Sequence, residues 1–190
     1  GQLGIIVHDS CKELGEKVDD FIVRRRREEF ASSCREYHVD EIKDSYIIDS
    51  DIVRFANGEA KAQLKESIRG KDIYLLADIG NYNVTYNMFG VENHMSPDEH
   101  FQDIKRLISA IAGKARRIHV IMPLLYESRQ DKRNSRESLD CAMALQELEN
   151  LGVENIFTFD AHETRVQNAI PLTGFESLHS TYQIIKAMHR

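Results

Sequence analysis

The sequence has no CxxC pair, no long apolar run and no glycine-rich lysine loop, and each absence removes a class of function. Its three cysteines, Cys11, Cys34 and Cys141, are odd in number and widely spaced, which argues against a secreted disulfide framework and a structural zinc site and fits a reducing cytoplasm. No stretch approaches the roughly 20 apolar residues of a membrane span, and no signal peptide with a basic, apolar and small-residue order is visible. Gly1 stands where an initiator Met would, so the chain reads as a trimmed product, and the Asn83-Val84-Thr85 sequon has no meaning in a cytosolic protein. Neither a Walker-type loop nor GxGxxG occurs, so a nucleotide site here is not of the P-loop or dinucleotide kind. Cationic excess is missing too. With 25 Lys+Arg against 31 Asp+Glu the net charge is -6, so neither nucleic acid nor an anionic membrane is an expected partner, and any anion site has to be local.

What is present suits one large α/β domain: 190 residues, 42% of them hydrophobic, enough for an ordinary core. Short β-branched runs alternate with amphipathic helices, the pattern of a parallel sheet with helices on its faces. Gly4 to His8 reads as the first strand. Ser10 with Glu13 reads as a capping box opening a helix with Leu14, Val18, Phe21 and Ile22 inward. Ser45–Ile48 and Asp72–Ala77 are further strands, and Val53–Leu64 suits a strand or hairpin projecting from the sheet. Ser96-Pro97-Asp98-Glu99 is the clearest helix start, with Phe101, Ile104, Leu107, Ile108 and Ile111 on one face. The strand Ile118–Met122 stops at Pro123, a helix from Ser138 ends at Gly152, Asn155–Phe159 is another strand, and Ser180–His189 is a short helix with Tyr182, Ile185 and Met188 on one side. Arg24 to Arg27 followed by Glu28-Glu29 reads as a self-neutralising surface. No repeat or low-complexity tract divides the chain.

Ligands of open parallel sheets bind beyond the carboxyl ends of the strands, which singles out two loops. The first, Leu124 to Glu137, holds four cations within eight residues: Arg129, Lys132, Arg133 and Arg136. Arg forks suit a polyphosphate, and a solvated surface loop is the plainer alternative. The second, Asp160-Ala161-His162-Glu163, puts a carboxylate and an imidazole at a strand end, where they suit a divalent metal beside phosphates. Alternatively Asp160 caps a helix and His162 bonds the backbone. A third element, Phe55-Ala56-Asn57-Gly58-Glu59, offers a ring to stack on a purine and polar groups for its amino edge or a ribose, or else is a hairpin turn with a core Phe. His8, His94, His100 and His119 lack partners at metal-ligand spacing and read as structural.

Taken together and in order, these places resemble the ribose-phosphate pyrophosphokinases. Phe55 to Glu59 looks like that family's F-S-D/N-G-E turn, and Lys65-Glu66-Ser67-Ile68-Arg69-Gly70-Lys71-Asp72 is similar to its E-S-I-R-G-K-D segment. Arg129-Gln130-Asp131-Lys132, leading through Ser135-Arg136-Glu137, resembles the R-Q-D-R/K loop and S-R-E-P helix start. Asp160-Ala161-His162 with Val166-Gln167 and Pro171 is similar to the D-L-H-A-x-Q-I-Q…P block. The resemblance implies a type I phosphoribosyltransferase-like α/β fold, a parallel sheet with helices on both faces, and transfer of the diphosphoryl group of ATP to ribose 5-phosphate with Mg2+. It implies ATP contacts from Arg129, Gln130 and Asp131, a magnesium ligand in His162, and an adenine-ribose site from Phe55, Asn57 and Glu59, supplied in this family by a neighbouring subunit of a homo-oligomer. Residues 1–170 would be the ATP-binding domain and 171–190 the start of a second.

The chain departs from the family in several places. It lacks G-F-F after His162, its Arg129–Glu137 loop is one residue shorter than the commonest pattern, and Asn81–Asp98 is longer than the matching connection. The family's acidic pentose-phosphate loop and basic lid have no match in these residues, so the chain alone is expected to be inactive. The alternative is a non-catalytic, synthetase-like regulatory subunit.

Overall fold

A computed structural model describes residues 2–32 and 43–189. The chain begins with β1 (Gln2–Val7) and α1 (Lys12–Ser32), then forms a hairpin of β2 (Ser50–Arg54) and β3 (Ala60–Leu64). Next come β4 (Lys71–Leu76), a second hairpin of β5 (Thr85–Met88) and β6 (Val91–His94), and α2 (Pro97–Ile111). β7 (Arg117–Met122), α3 (Asp140–Asn150), β8 (Asn155–Phe159), β9 (Gly174–Leu178) and α4 (Thr181–Met188) complete it. The main sheet runs β1-β4-β7-β8-β9 with every pairing parallel. Ile47 bridges Ile5 on the other edge, so the chain first moves to one side of β1 and then lays the later strands of this sheet, β4, β7, β8 and β9, on the other. The sheet's reversal point therefore lies between β1 and β4.

α2 forms as its sequence predicts. Ser96 accepts the Glu99 N–H and Glu99 accepts the Ser96 N–H, Pro97 needs no donor, and the helix ends in left-handed residues at Ala112 and Gly113. Ile104, Leu107 and Ile111 are fully buried against the sheet, each stabilising the fold by about 1.5–3 kcal/mol. They join Ile6, Ile73, Leu75, Val120 and Ile156 of the strands and Leu145 and Leu148 of α3 in the main core.

α1 lies on the opposite face, turned differently from the sequence expectation. Ser10 is not a capping-box residue: it sits in a short 3-10 turn, and its hydroxyl accepts the Asp78 N–H and bonds His8, while Glu13 pairs with Lys17. Leu14 and Phe21 are exposed, and the buried positions are Gly15, Asp19 and Val23. The reason is close approach: a methyl group at Gly15 would stand 2.5 Å from the Val7 side chain, and the Asp19 carboxylate takes the Tyr46 N–H at 2.7 Å. This rotation leaves much of the face open. Tyr74, Ile121, Phe157 and Leu178, with Leu14 and Val18, line an apolar depression of about 300 Å³.

The β2–β3 hairpin is present as expected, with Ile52, Ala62 and Leu64 against the main core. The β5–β6 hairpin and β9 are elements that the sequence pattern did not reveal. Of α4, no residue is buried. Cys11 and Cys141 are free and buried, which pushes their thiols to about 12 and about 11 and removes them as nucleophiles, while Cys34 lies outside the described residues. Among the described residues no helix is long and apolar enough to cross a membrane.

Candidate functional site

β7 and β8 are neighbours in register, Met122 beside Thr158, so the two loops singled out by sequence leave the sheet side by side. The first is tied down at its start. Leu125 is buried, and the Tyr126 ring stacks on Phe101 at 4.2 Å while its hydroxyl donates to Asp98 at 2.7 Å. Gln130 then spans the loop, its amide donating to the Ser138 carbonyl at 2.8 Å and to that of Lys132 at 3.2 Å. This side chain therefore braces the loop. Arg129, Lys132, Arg133 and Arg136 are partly or fully exposed, and among the described residues none of them forms an ion pair.

The two loops meet at Asp131 and His162, whose Oδ2 and Nδ1 lie 2.7 Å apart. Only 3% of the Asp131 side chain is exposed, against 69% of the imidazole. A carboxylate at Nδ1 takes that nitrogen's proton in a hydrogen bond and leaves Nε2 as the lone-pair nitrogen. The donor set thus suits a metal held mainly by phosphates and water, with one imidazole from the protein. It does not suit an all-protein cage: among the described residues no three His, Cys, Asp or Glu side chains are grouped to hold an ion. Glu163 is occupied by Arg165, whose hydrogen bonds hold its carboxyl down to about 2. Asp160 neither bonds His162 nor caps the 3-10 helix Thr164–Ala169, which Glu163 caps. It accepts from Ser180 Oγ at 2.6 Å and lies 3.2 Å from His179 Nδ1, and these bonds lower its pKa. Sequence pattern gave no sign of His179 and Ser180 as its partners, because β9, which delivers them, is not legible in it.

The third element stands apart. Phe55, Asn57 and Glu59 are exposed at the tip of the first hairpin, where Gly58 takes the positive φ of 90° that the turn needs. Asn57 donates to Glu59 at 2.9 Å and accepts the Glu59 N–H. Phe55 is 47% exposed and so is not the core residue of the plainer reading. Among the described residues no hydrogen bond or ion pair joins this tip to Asp131 or His162.

The last residue of β2 before that turn, Arg54, leads to a cluster whose histidines the sequence marks only as structural. Arg54 donates to Asp103 of α2, which also takes Arg106 at 2.6 Å and His8 Nε2 at 3.3 Å. His8 Nδ1 accepts the Ser10 N–H at 3.1 Å, which fixes the proton on Nε2. Burial pushes the Asp103 carboxyl up, and the bonds from His8 and Arg106 with the Arg54 charge more than offset it, leaving the pKa low. His100, fully buried, donates Nε2–H to the Asn81 carbonyl at 2.8 Å and has no partner at Nδ1 among the described residues. These groups fill the sheet's reversal point.

A family model described as the N-terminal domain of ribose phosphate pyrophosphokinase matches residues 3–152. The ribose-phosphate pyrophosphokinase of Halalkalibacterium halodurans is 28% identical over 121 residues, 62% of this chain and 34% of that protein. Ribose-phosphate pyrophosphokinase 1 of Schizosaccharomyces pombe is 31% identical over 121 residues, 63% of this chain and 26% of that protein. The matched residues thus span about a third or less of these curated relatives. In three dimensions the chain is similar to the phosphoribosylpyrophosphate synthetase of Mycobacterium smegmatis, with a TM-score of 0.71 at 18% identity over 99% of this chain and 52% of that one.

Proposed function

Since this chain belongs to the family of the N-terminal domain of ribose phosphate pyrophosphokinase, we propose that it supplies the ATP-binding part of a ribose-phosphate diphosphokinase. The reaction is ATP plus ribose 5-phosphate to phosphoribosyl pyrophosphate plus AMP, in the cytoplasm, with Mg2+. The observation that carries the reading is the Asp131–His162 bond at the ends of β7 and β8, close in sequence to an Arg129 that forms no ion pair among the described residues. Diphosphoryl transfer needs positioning and charge neutralisation more than a protein nucleophile. Arg129 would fork onto phosphate oxygens, and Gln130 would keep the loop in shape and reach ATP through its amide oxygen. Asp131 would hold the imidazole of His162 with Nε2 outward toward the metal, which when bound neutralises polyphosphate charge. Phe55, Asn57 and Glu59 would hold the adenine-ribose end. Because no bond among the described residues links that tip to the loops, the reading includes a homo-oligomer in which a neighbour's tip completes the site.

The test is a calorimetric titration of the chain with ATP, with and without Mg2+. Arg129→Ala should weaken binding at any metal concentration by about tenfold or more, the loss of a charge-assisted bond. His162→Ala should remove the Mg2+-dependent increment alone. No ATP binding by the unsubstituted chain would sink the proposal. AMP release in the presence of ribose 5-phosphate separates a catalyst from a subunit that only binds nucleotide and regulates.

A further inference from the structure

The second hairpin leans on the first, and its tip carries an aromatic ring where the backbone disfavours one. Met88 and Val91 close a two-residue turn in which Phe89 and Gly90 both have positive φ, 50° and 83°. Such a turn prefers Asn or Gly at its first position, because a left-handed backbone crowds a bulky side chain. Phe89 is there nonetheless. It is 76% exposed, so it adds nothing to the core, and its ring has no partner among the described residues. A strained, exposed residue is a pointer to function when something adjacent gives it a role.

The adjacent feature is the Phe55–Glu59 turn. Phe89 donates its N–H to the Ala56 carbonyl at 2.9 Å, and a methyl group at Gly58 would stand 3.0 Å from Met88 Sδ and 3.7 Å from the Tyr86 ring. Arg54 lies 4.8 Å over the Tyr86 ring, whose hydroxyl donates to Glu99. The turn end of the first hairpin is thus tied to the second at Tyr86, Met88 and Phe89. Two exposed phenylalanines, Phe55 and Phe89, sit one residue apart across the Phe89–Ala56 bond, with the polar groups of Asn57 and Glu59 on the same turn.

We propose that Phe89 shares with Phe55 the stacking of the nucleotide base, so that the arm presents two rings to it. This rests on the reading of the Phe55–Glu59 turn as the base end of the ATP site. A bicyclic purine has area for both rings and a pyrimidine has less, so the second ring favours ATP over CTP.

The test is titration of the chain with ATP, CTP and inorganic tripolyphosphate for the unsubstituted protein, Phe89→Asn and Phe55→Ala. Asn suits the turn, so the melting temperature of Phe89→Asn should hold or rise while the ring is gone. Its ATP affinity should fall about tenfold, the order of one base-aromatic stack, with a smaller loss for CTP and none for tripolyphosphate. Unchanged ATP binding in Phe89→Asn with weakened binding in Phe55→Ala overturns the role of Phe89 and leaves the arm as the base site. Unchanged ATP binding in both variants, or none by the unsubstituted chain, overturns the arm reading and this inference with it. An equal loss for tripolyphosphate overturns base stacking.

Discussion

Two polar centres lie at the carboxyl end of the sheet, one beside β1 and β4 and the other beside β7 and β8, and they differ in where water reaches. In the first, His8, His100 and Asp103 are buried and their bonds are almost all internal. In the second, Asp131, its side chain 3% exposed, holds an imidazole that is 69% exposed, and the cations of its loop form no ion pair among the described residues. Open α/β sheets usually bind ligands at the reversal point, and here that position is filled by side chains. Position in the topology therefore does not by itself mark a ligand site. Unspent hydrogen-bonding capacity facing solvent is the other mark such a site needs, and among the described residues it is the β7–β8 loops, not the first centre, that carry it. The sealed centre serves another end, since through Arg54 it anchors the hairpin that carries Phe55, Asn57 and Glu59.

The contrast is broken most forcefully at Asp103. Asp103→Ala leaves Arg54, Arg106 and His8 without their shared acceptor inside the protein, and removing one partner of a buried ion pair costs about 3–5 kcal/mol. For a chain of this size the melting temperature should fall by on the order of 10 °C. Asp103→Asn, which keeps an acceptor oxygen, should lose less. A fall of only a degree or two in Asp103→Ala, followed by circular dichroism, would show that water replaces the carboxylate and that the centre is not sealed.

The difference between the centres also explains what could be read in the sequence. The Ser96–Glu99 box, the α2 stripe, the β7 and β8 runs and the Phe55–Glu59 turn are local patterns, and each is where the pattern put it. So are the two loops, because a strand end is visible from its own residues. The Asp103–Arg54 and His8–Asp103 contacts join residues 49 and 95 positions apart, and no local spacing announces them. The β5–β6 hairpin was hidden by its turn, since Phe89 stands where Asn or Gly would have signalled it. β9 was hidden by a five-residue run, Gly174 to Leu178, containing Glu176 and Ser177. The rotation of α1 depended on Gly15 meeting Val7 and Asp19 meeting Tyr46, again contacts that no periodicity within the helix encodes.

A smaller effect comes from protonating the sealed centre. Burial, with the nearby His8 ring adding to it, lowers the pKa of His100, and burial lowers that of His119 as well. A histidine whose folded pKa lies below its unfolded value near 6.5 binds fewer protons in the folded state once the pH drops through that value. Stability should therefore fall as the pH goes from about 7 to 5. Gln at position 100 can keep a donor toward the Asn81 carbonyl without titrating, so His100→Gln should flatten the slope, with the His119 share remaining. Urea midpoints across that range make the comparison. Parallel slopes in the two proteins would mean that His100 takes up a proton without loss of packing.

The smallest effect on stability, and the one that sharpens the contrast, is expected at Asp131. Its only hydrogen-bonded side-chain partner among the described residues is His162, and that imidazole is 69% exposed, so on loss of the carboxylate water can satisfy Nδ1–H. Asp131→Ala should accordingly shift stability by no more than about 1 kcal/mol, far less than the same truncation at Asp103. Its consequence should appear in binding. Freed of the carboxylate, the imidazole can rotate and exchange tautomers, and the loss of such an orienting partner typically lowers metal affinity by about 10–100-fold. Measured on one preparation, Mg2+-dependent ATP binding should therefore drop while the melting curve stays nearly in place. If instead Asp131→Ala unfolds the chain as readily as Asp103→Ala does, the Asp131–His162 bond is a structural tie of the same kind as the sealed cluster, and the imidazole is not held ready for a ligand.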